Sequence, residues 1–471
     1  MILRIYLFSI TLFLTGLFGC KKFVEIPPPL NKMASTSVFN DNSTATAAQT
    51  AIYASMFNDQ SVFKIQLYSG LSGDELTNYS GVLIQKDLFS NKLSVINDAG
   101  QIEPSWKTPY NYIYQANAII EGIQNSLSIN DAVKKQLIGE AKFMRAFWHF
   151  YLTNLFGPVP IITKTNYTLN AIVSNSSQEE VYKQAIADLK DAQSLLNADF
   201  VDASDTLITT ERVRPTQSAA RALLARIYLY IGDWSNAEAQ ASLVIGNSAL
   251  FNLVSLDEVF LMNSNEAIWQ LQASPTAFYT QDGNFFILKT APARGGFRIA
   301  LSNQLVNSFE PGDNRKISWV GSYKDMPSGT FYYYPHKYKA NNTSSSISEY
   351  QMVLRLAEQY LIRAEARAKQ GNIDGAQSDL NRIRNRAGLT DIVTSDQQFL
   401  LNSILHERQV ELFTEWGNRW FDLKRTGSID SVMKIVTPQK GGDSWNSYQQ
   451  FYPIPVTDIQ NNINLKQTPG Y

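Results

Sequence analysis

Three glutamates near the carboxyl end of the chain have the spacing of paired catalytic acids. Glu407, Glu411 and Glu415 recur every four residues, which places them on one face of a helix. Two carboxylates held across a cleft could perform glycoside hydrolysis. However, apolar residues interrupt the row, and Arg408 and Arg419 lie close by in the sequence. We therefore expect these carboxylates to pair with arginines inside the fold, where they hold the last helices in place.

The histidines and the remaining motifs give no sign of other catalytic chemistry. His149, His336 and His406 are scattered, and none has a second ligand at metal-binding spacing. His406 and Glu407 lack the second histidine of a zinc-protease helix. The sequence contains no glycine-rich phosphate loop, no Gly-x-Ser-x-Gly elbow and no cysteine nucleophile. We expect no enzyme activity, no cofactor and no metal.

The only cysteine, Cys20, follows an apolar run and the small residue Gly19. Residues 1–19 have the order of a secretory signal peptide, and residues 17–20 resemble the lipobox of a bacterial lipoprotein. The run is too short to cross a membrane, which takes ~20 apolar residues. We predict cleavage before Cys20 and acylation of this residue, palmitate included. The alternative is an ordinary signal peptide that contains one cysteine.

Aromatic residues in loops are the best candidates for ligand binding. A sugar ring stacks its C–H face on an aromatic ring, while amides and carboxylates bind its hydroxyls. Both kinds of group occur together twice, in Trp319 and Tyr323 near Asn314, Arg315 and Asp325, and in Phe278 and Tyr279 beside Gln281 and Asp282. The alternative is that these rings pack the loops against the helices.

Composition excludes one class of partner. The 471 residues carry a formal net charge of -1, and a protein without a basic excess lacks the phosphate contacts that dominate binding to nucleic acid. Hydrophobic residues make up 44% of the chain, enough for a large core. A single cysteine leaves no disulfide, so packing must supply the stability.

The candidate residues lie on or between predicted helices. Apolar periodicity predicts helices over residues 44–57, 110–124 and 130–156, the last stopped by glycine and proline at 157–160. Residues 225–244 superpose without gaps on residues 364–383, and both read as helix, glycine turn, helix. This is the pattern of tetratricopeptide helix pairs, which need about three repeats to be stable. We expect helices near 179–196 and 399–413 to complete the stack.

Between residues 251 and 348 the periodicity gives way to loops and short strands rich in aromatic residues, and a similar zone spans 439–452. We predict a mainly α fold with this organisation: a signal peptide over 1–19, a lipidated and proline-rich tether over 20–43, and a single domain over 44–471 whose loop-rich excursion is 251–348.

Several longer motifs resemble one family. They are residues 139–151 with the stop at 157–160, Arg214-Pro215-Thr216, the acidic and aromatic run over 407–427, and the tail over 452–471, in which Asp458 and Thr468 replace an expected Glu and Asn. Together they resemble the SusD/RagB outer-membrane nutrient-binding lipoproteins of Bacteroidetes.

The resemblance implies a tetratricopeptide-type platform that faces outward, binds glycans and passes them to a SusC-like TonB-dependent barrel. It also implies that the early loop with Asn78 and Tyr79 contributes to the ligand face. Lys21 is not the aspartate of inner-membrane retention, which favours the outer membrane. A helical-repeat adaptor that binds only protein, and more distantly a lipid-anchored glycoside hydrolase, are the alternatives, and a peptide ligand stays open.

Overall fold

The computed structural model describes residues 38–59, 61–96, 99–274, 276–292 and 298–471. The predicted signal peptide, Cys20 and the tether up to residue 37 lie outside these described residues. In the described ranges, no helix combines the length and the apolar character that a membrane span requires.

The fold is mainly α, as predicted, and short strands interrupt the helices. The first half contains α1 (Asn42–Asn58), α2 (Ser61–Ser72), β1 (Leu76–Asn78), α3 (Leu83–Phe89), α4 (Ala99–Asn125), α5 (Asp131–Phe156), α6 (Tyr167–Asn170), α7 (Gln178–Leu195), α8 (Gln217–Tyr230) and α9 (Trp234–Ile245). The second half contains β2 (Ala267–Leu271), α10 (Gln281–Phe286), β3 (Ile299–Leu301), α11 (Asn303–Ser308), α12 (Asn314–Ser318), β4 (Val320–Lys324), β5 (Phe331–Pro335), β6 (Gln351–Arg355), α13 (Leu356–Lys369), α14 (Ile373–Arg386), α15 (Gln397–Glu411), α16 (Asn418–Arg425), α17 (Ile429–Gln439) and α18 (Val456–Asn461).

Helix α5 forms the centre of the core. From Phe143 to Phe156 every residue is buried, and the polar side chains in this stretch have partners inside the core: Arg145 pairs with Asp188 at 2.5 Å, and His149 Nδ1 lies 2.9 Å from the Arg145 carbonyl. Helix α5 packs between α4 and α7, and Gly157, with φ of 81°, ends it where the sequence predicts. Helix α4 begins at Ala99, earlier than predicted, because burial of Trp106 outweighs the two prolines inside its first half.

The two predicted tetratricopeptide pairs are present. Helices α8 and α9 turn at Gly232, α13 and α14 turn at Gly371, and both glycines have positive φ. The next residue caps the second helix in each pair: Asp233 accepts from the Asn236 amide and Asn372 from the Gly375 amide. The stack is completed by α7 beside α8, and by α15 beside α13 and α14, as expected.

The strands of the described residues form three antiparallel pairs, two of which connect the loop-rich segment to other parts of the described chain. Strand β1 pairs with β3, β2 pairs with β6, and β4 pairs with β5. Because β1 precedes α3 whereas β3 follows α10, the early loop and the loop-rich segment meet at one sheet.

The acidic row, Glu407, Glu411 and Glu415, is buried in a network of ion pairs. The expectation that all three glutamates lie on one helix face is wrong for Glu415, because α15 ends at Glu411 and the chain turns away at Thr414, which has positive φ. Arg315 contacts Glu407 at 2.6 Å and Glu411 at 2.9 Å. Arg355 contacts Glu411 at 2.6 Å and Glu415 at 2.7 Å. The expectation that arginines inside the fold neutralise these carboxylates is confirmed.

The partners are distant in sequence, however, and differ from the nearby arginines that we considered. Arg386 also contacts Glu411, and Lys337 contacts Glu415 at 2.5 Å. Arg408 and Arg419 pair instead with Asp422 and Asp74. Burial alone raises the pKa of Glu411, but Arg386, Arg355 and Arg315 more than offset it, so the pKa lies well below its usual range.

Replacing Gly371 tests the repeat turn. We expect Gly371→Val to lower the free energy of unfolding by about 1–3 kcal/mol, because a β-branched residue is strained at positive φ. A Cβ at this position meets nothing within 4 Å, so the loss comes from the backbone alone. Gly371→Asn, which tolerates this conformation better, is the matched control and should cost less. Equal urea midpoints for wild type and Gly371→Val contradict the assignment.

Replacing Glu411 tests the network. We expect Glu411→Gln to lower the free energy of unfolding by about 3–5 kcal/mol near pH 7, because three buried arginines lose their shared counter-charge. Since the folded pKa is depressed, this stabilisation is present above the unfolded pKa of about 4.3 and is lost as the pH falls through the folded value. Urea titrations of both proteins should therefore converge on acidification.

Asp191→Asn, which removes a surface pair with Lys142, is the control and should change the unfolding free energy little. A Glu411→Gln protein as stable as this control at pH 7 shows that the network does not stabilise the fold.

Candidate functional site

Trp319 does not offer a ring to a ligand. The side chain is fully buried, its Nε1 donates to the Leu256 carbonyl at 2.9 Å, and its ring meets Phe260 edge-on. The cations of Lys337 and Arg386 lie 5.0 and 5.8 Å from the ring centroid. The prediction that Trp319 stacks on a ligand is wrong, because the indole packs against the buried ion-pair network.

The polar neighbours proposed for Trp319 are also occupied. Arg315 is fully buried and bound to Asp313 and Glu411, so its guanidinium cannot reach a ligand. Asp325 is buried in the turn of the β4–β5 hairpin, where its carboxylate accepts from Ser328 Oγ at 2.6 Å. Both side chains stabilise local structure.

Phe278 and Tyr279 remain partly accessible, and Phe278 is 36% exposed. Their predicted polar neighbour Asp282 is buried, and burial raises the pKa of its carboxyl to about 8. A buried carboxyl of this kind is a poor acceptor for ligand hydroxyls. The role of Phe278 and Tyr279 in ligand binding stays a prediction.

The β4–β5 hairpin presents tyrosines on one face. Tyr323 pairs with Tyr332 across the strands, and Gly321 pairs with Tyr334, so all of these point to the same side. A Cβ on Gly321 would lie 2.3 Å from the ring of Tyr334, which shows that this ring covers the glycine. Residues of the opposite face, Val320 and Tyr333, pack against the core. Core packing therefore fixes which face the hairpin turns outward.

Tyr79 extends this face from the early loop. It follows β1, and its backbone N–H donates to the Arg298 carbonyl at 2.8 Å, which continues the pairing of β1 with β3. Its ring meets that of Tyr332 at 5.6 Å with an interplanar angle of 86°. The side chain is 39% exposed. We call Tyr79, Tyr323, Tyr332 and Tyr334 the tyrosine face.

The structure thus places two of the predicted ligand-binding residues, Tyr79 and Tyr323, on one surface, although they are 244 residues apart in sequence. Tyr332, which joins them, and Tyr334 were missed as site residues, although the sequence places both in an aromatic run. Strand alternation is the signal that could have selected them. Asn78 is half-buried, and its Oδ1 accepts from the Ser80 amide at 2.8 Å, so it shapes the loop that carries Tyr79.

Two tyrosines of the tyrosine face, Tyr79 and Tyr334, have pKa values raised above the ordinary value, so they are neutral near neutral pH. Burial, and next the neighbouring Tyr332, raise the pKa of Tyr79, and burial raises the pKa of Tyr334. His336, whose ring lies 5.7 Å from that of Tyr334, has its pKa lowered by burial and then by Lys339. Hydroxyl groups and a neutral imidazole therefore accompany the rings. This arrangement can stack a ring and exchange hydrogen bonds with it, but it supplies no charge.

A cavity also lies in another part of the described chain, but it is less suited to stacking on a ligand than the tyrosine face. It has a volume of about 580 Å³ and lies between α1 and the segment over 201–214. Its walls carry Ala47, Ala51 and Ala54, and its aromatic residue, Tyr53, is buried and donates to Glu140 at 2.6 Å. No ring in this cavity is free to stack on a sugar.

Within the described ranges, no group of histidine, cysteine or acidic residues could hold a metal ion. The acids of the row at 407, 411 and 415 are closed inside the ion-pair network and line no cleft at the tyrosine face. The acidic row therefore supplies no pair of carboxylates across a cleft of the kind that glycoside hydrolysis needs.

Comparison with known proteins agrees with this architecture. SusD-like protein P2 of Formosa agariphila is 28% identical over 522 aligned positions, covering 99% of both chains. The starch-binding protein SusD of Bacteroides thetaiotaomicron is 40% identical over 124 positions, which are 25% of this chain and 21% of that protein.

Solved structures share the fold. A SusD superfamily protein from Bacteroides vulgatus superposes with a TM-score of 0.79 at 22% identity, covering 92% of this chain and 100% of that one. A laminarin-binding SusD-like protein gives a TM-score of 0.74 at 22% identity, with the same shares covered.

Two family profiles match separate parts of the chain. Residues 302–471 match the SusD family, and residues 29–229 match a SusD-like family described as starch-binding and associating with the outer membrane. The first match includes the tyrosine hairpin and the second tetratricopeptide pair, and the second match includes α5 and Tyr79. The chain belongs to the SusD family.

Proposed function

We propose that this protein is an outer-membrane lipoprotein on the cell surface that captures glycans and delivers them to a SusC-like TonB-dependent transporter. The tyrosine face is the observation that carries the proposal. Support comes also from the relatives, which include a starch-binding protein and a laminarin-binding neighbour, and from the family description of outer-membrane association.

The tyrosine face has the shape and chemistry to hold a sugar ring. Because the rings of Tyr79 and Tyr332 are nearly perpendicular, they form a corner in which one ring supports a sugar and the other contacts its edge. Tyrosine hydroxyls exchange hydrogen bonds with sugar hydroxyls. Tyr323 lies beside Tyr332 and can extend the surface to a second sugar.

The ligand that fits best is a neutral glycan. The tyrosines themselves supply no cation that could hold a carboxylate or sulfate group, and the nearby Lys339 is paired with Asp257 at 2.5 Å. We infer that the protein acts by binding and is not an enzyme. Binding of protein alone, without glycan, is the alternative that the experiments below separate.

Attachment to the membrane follows from Cys20 in this proposal. The apolar run before Cys20 has the charged, apolar and small-residue regions of an export signal in the usual order. Acyl chains on the cysteine then hold the mature protein at the membrane. The tether after it, rich in proline, is expected to be extended and to separate the domain from the lipid surface.

Replacing Tyr332 tests the binding surface. We expect Tyr332→Ala to weaken binding to the preferred glycan by about 1–3 kcal/mol, or roughly 5- to 150-fold in Kd, because it removes one wall of the aromatic corner. Titration calorimetry against soluble starch, laminarin and xylan, with alginate as an acidic comparison, measures the change.

Tyr167→Ala is the matched control, because Tyr167 is 83% exposed and lies outside the tyrosine face. It should leave affinity unchanged, and thermal melts should show both variants folded. Equal affinities for wild type and Tyr332→Ala remove the tyrosine face as the glycan site. Wild type that binds no glycan but captures a protein supports the adaptor alternative.

Replacing Cys20 tests the anchor. We expect Cys20→Ser to lose fatty-acid label and to move from the outer-membrane fraction to the soluble fraction, because the thiol that accepts the lipid is gone. Fractionation of cells grown with a labelled fatty acid measures both. A labelled Cys20→Ser protein that stays in the outer membrane contradicts the lipobox assignment.

A further inference from the structure

A cleft of about 420 Å³ lies at the start of α15, and none of its lining residues belongs to the tyrosine face. Its floor comes from α15, one wall from Glu310 after α11, and the other from Ile392 after α14. The volume is within the range of small-ligand sites, roughly 300–1,000 Å³. The cleft combines an aromatic ring with fixed polar groups.

Helix α15 aligns the first of these groups. Phe399, Asn402 and His406 follow each other at the i, i+3 and i+7 positions, so they share one face of the helix. Phe399 is 52% exposed, although it is a large apolar side chain. The Asp396 cap accepts from the Phe399 amide at 3.0 Å and fixes the first turn. The ring is thus held on ordered backbone at the edge of the cleft.

The opposite wall carries a carboxylate in a fixed orientation. Arg384 donates to both oxygens of Glu310, at 2.6 and 3.1 Å, and Arg384 itself is buried. The arginine is held in turn by Glu407 and by the Thr390 carbonyl at 3.0 Å. The hydrogen bonds from Arg384 lower the pKa of Glu310, which is therefore ionised near neutral pH. His406 Nε2 lies 2.8 Å from the Ser308 carbonyl, which orients the imidazole beside Glu310.

We propose that this cleft is a second saccharide-binding site, which takes one end or one branch of a neutral glycan. Phe399 supplies the stacking ring, and Glu310 and Asn402 supply an acceptor and an amide for sugar hydroxyls. Arg384 forms ion pairs with Glu310 and Glu407, so its positive charge is already balanced and it cannot hold an anionic sugar. This inference rests on the proposed function, since it assigns a second site for the same class of ligand.

Two sites on one chain have a functional consequence. A polysaccharide that reaches both binds the second site intramolecularly, so its overall affinity exceeds that of either site alone. A short oligosaccharide that fills only the tyrosine face gains nothing from the cleft. The cleft therefore favours retention of long or branched chains.

The experiment compares the two sites on the full-length mature protein. Native gels containing soluble starch, laminarin, xylan or alginate measure retardation of wild type, Phe399→Ala, the double variant Tyr79→Ala/Tyr332→Ala, and the triple variant. On a neutral polysaccharide that retards wild type, we expect the double variant to keep residual binding and the triple variant to lose it. Phe399→Ala alone should weaken binding of the polysaccharide about tenfold and leave a bound trisaccharide unaffected.

Ile435→Ala, which truncates an exposed apolar residue on α17, is the control, and melts confirm that each variant folds. A double variant with no residual binding, or a Phe399→Ala protein that matches Ile435→Ala, overturns the second site and leaves the proposed function standing. Phe399-dependent binding of alginate alone overturns the neutral class. Wild type that none of the neutral gels retards overturns the proposed function and this inference together.

Discussion

The buried ion pairs around Glu411 are the interaction on which the rest of the structure depends. Their members come from separate parts of the chain: Arg315 from α12, Arg355 from the junction of β6 and α13, and Arg386 from the end of α14. Each of these arginines would be costly to bury alone, so each segment is stable only where the acidic row neutralises it. The network thereby joins the loop-rich segment to the tetratricopeptide pairs without a disulfide.

The same network positions the tyrosine hairpin. Trp319, directly before β4, lies over cations of the network, and Lys337, two residues after β5, contacts Glu415 and donates to the carbonyls of Glu411 and Phe413. The His336 amide donates to the Trp319 carbonyl at 2.8 Å and closes the base of the hairpin. With both ends held and Tyr333 packed on the core, the alternation of the strands leaves Tyr332 and Tyr334 facing outward. The tyrosine rings are therefore already ordered by folding, so a ligand that binds them loses less free energy to the ordering of side chains.

Sequence patterns predicted those features of the fold that depend on residues close together in the chain. The glycine turns at Gly232 and Gly371, the stop at Gly157 and the structural role of the acidic row all follow from spacing and residue type, and the structure confirms them. The network partners could not be predicted, because Arg315 lies 96 residues from Glu411 and only the folded chain brings them together. The prediction that Trp319 binds ligand was wrong for the same reason, since nothing in the sequence of a loop shows that an indole will cover buried cations. Tyr332 was within reach of strand alternation, but its contact with Tyr79 depends on the pairing of β1 with β3.

One chain of ion pairs reaches both candidate binding sites. It runs from Glu310 through Arg384 to Glu407, then through Arg315 and Glu411 to Arg355, and ends with Glu415 and Lys337 at the base of the hairpin. The Arg315–Glu407 link is an ion pair without a hydrogen bond. The other links within the core are charge-assisted hydrogen bonds shielded from water, where such contacts are stronger and more directional than at the surface. The carboxylate of the cleft and the rings of the hairpin are therefore held by one rigid framework. A glycan that contacts both sites meets two surfaces at a fixed separation, and a fixed separation is the condition under which bivalent binding selects chain length.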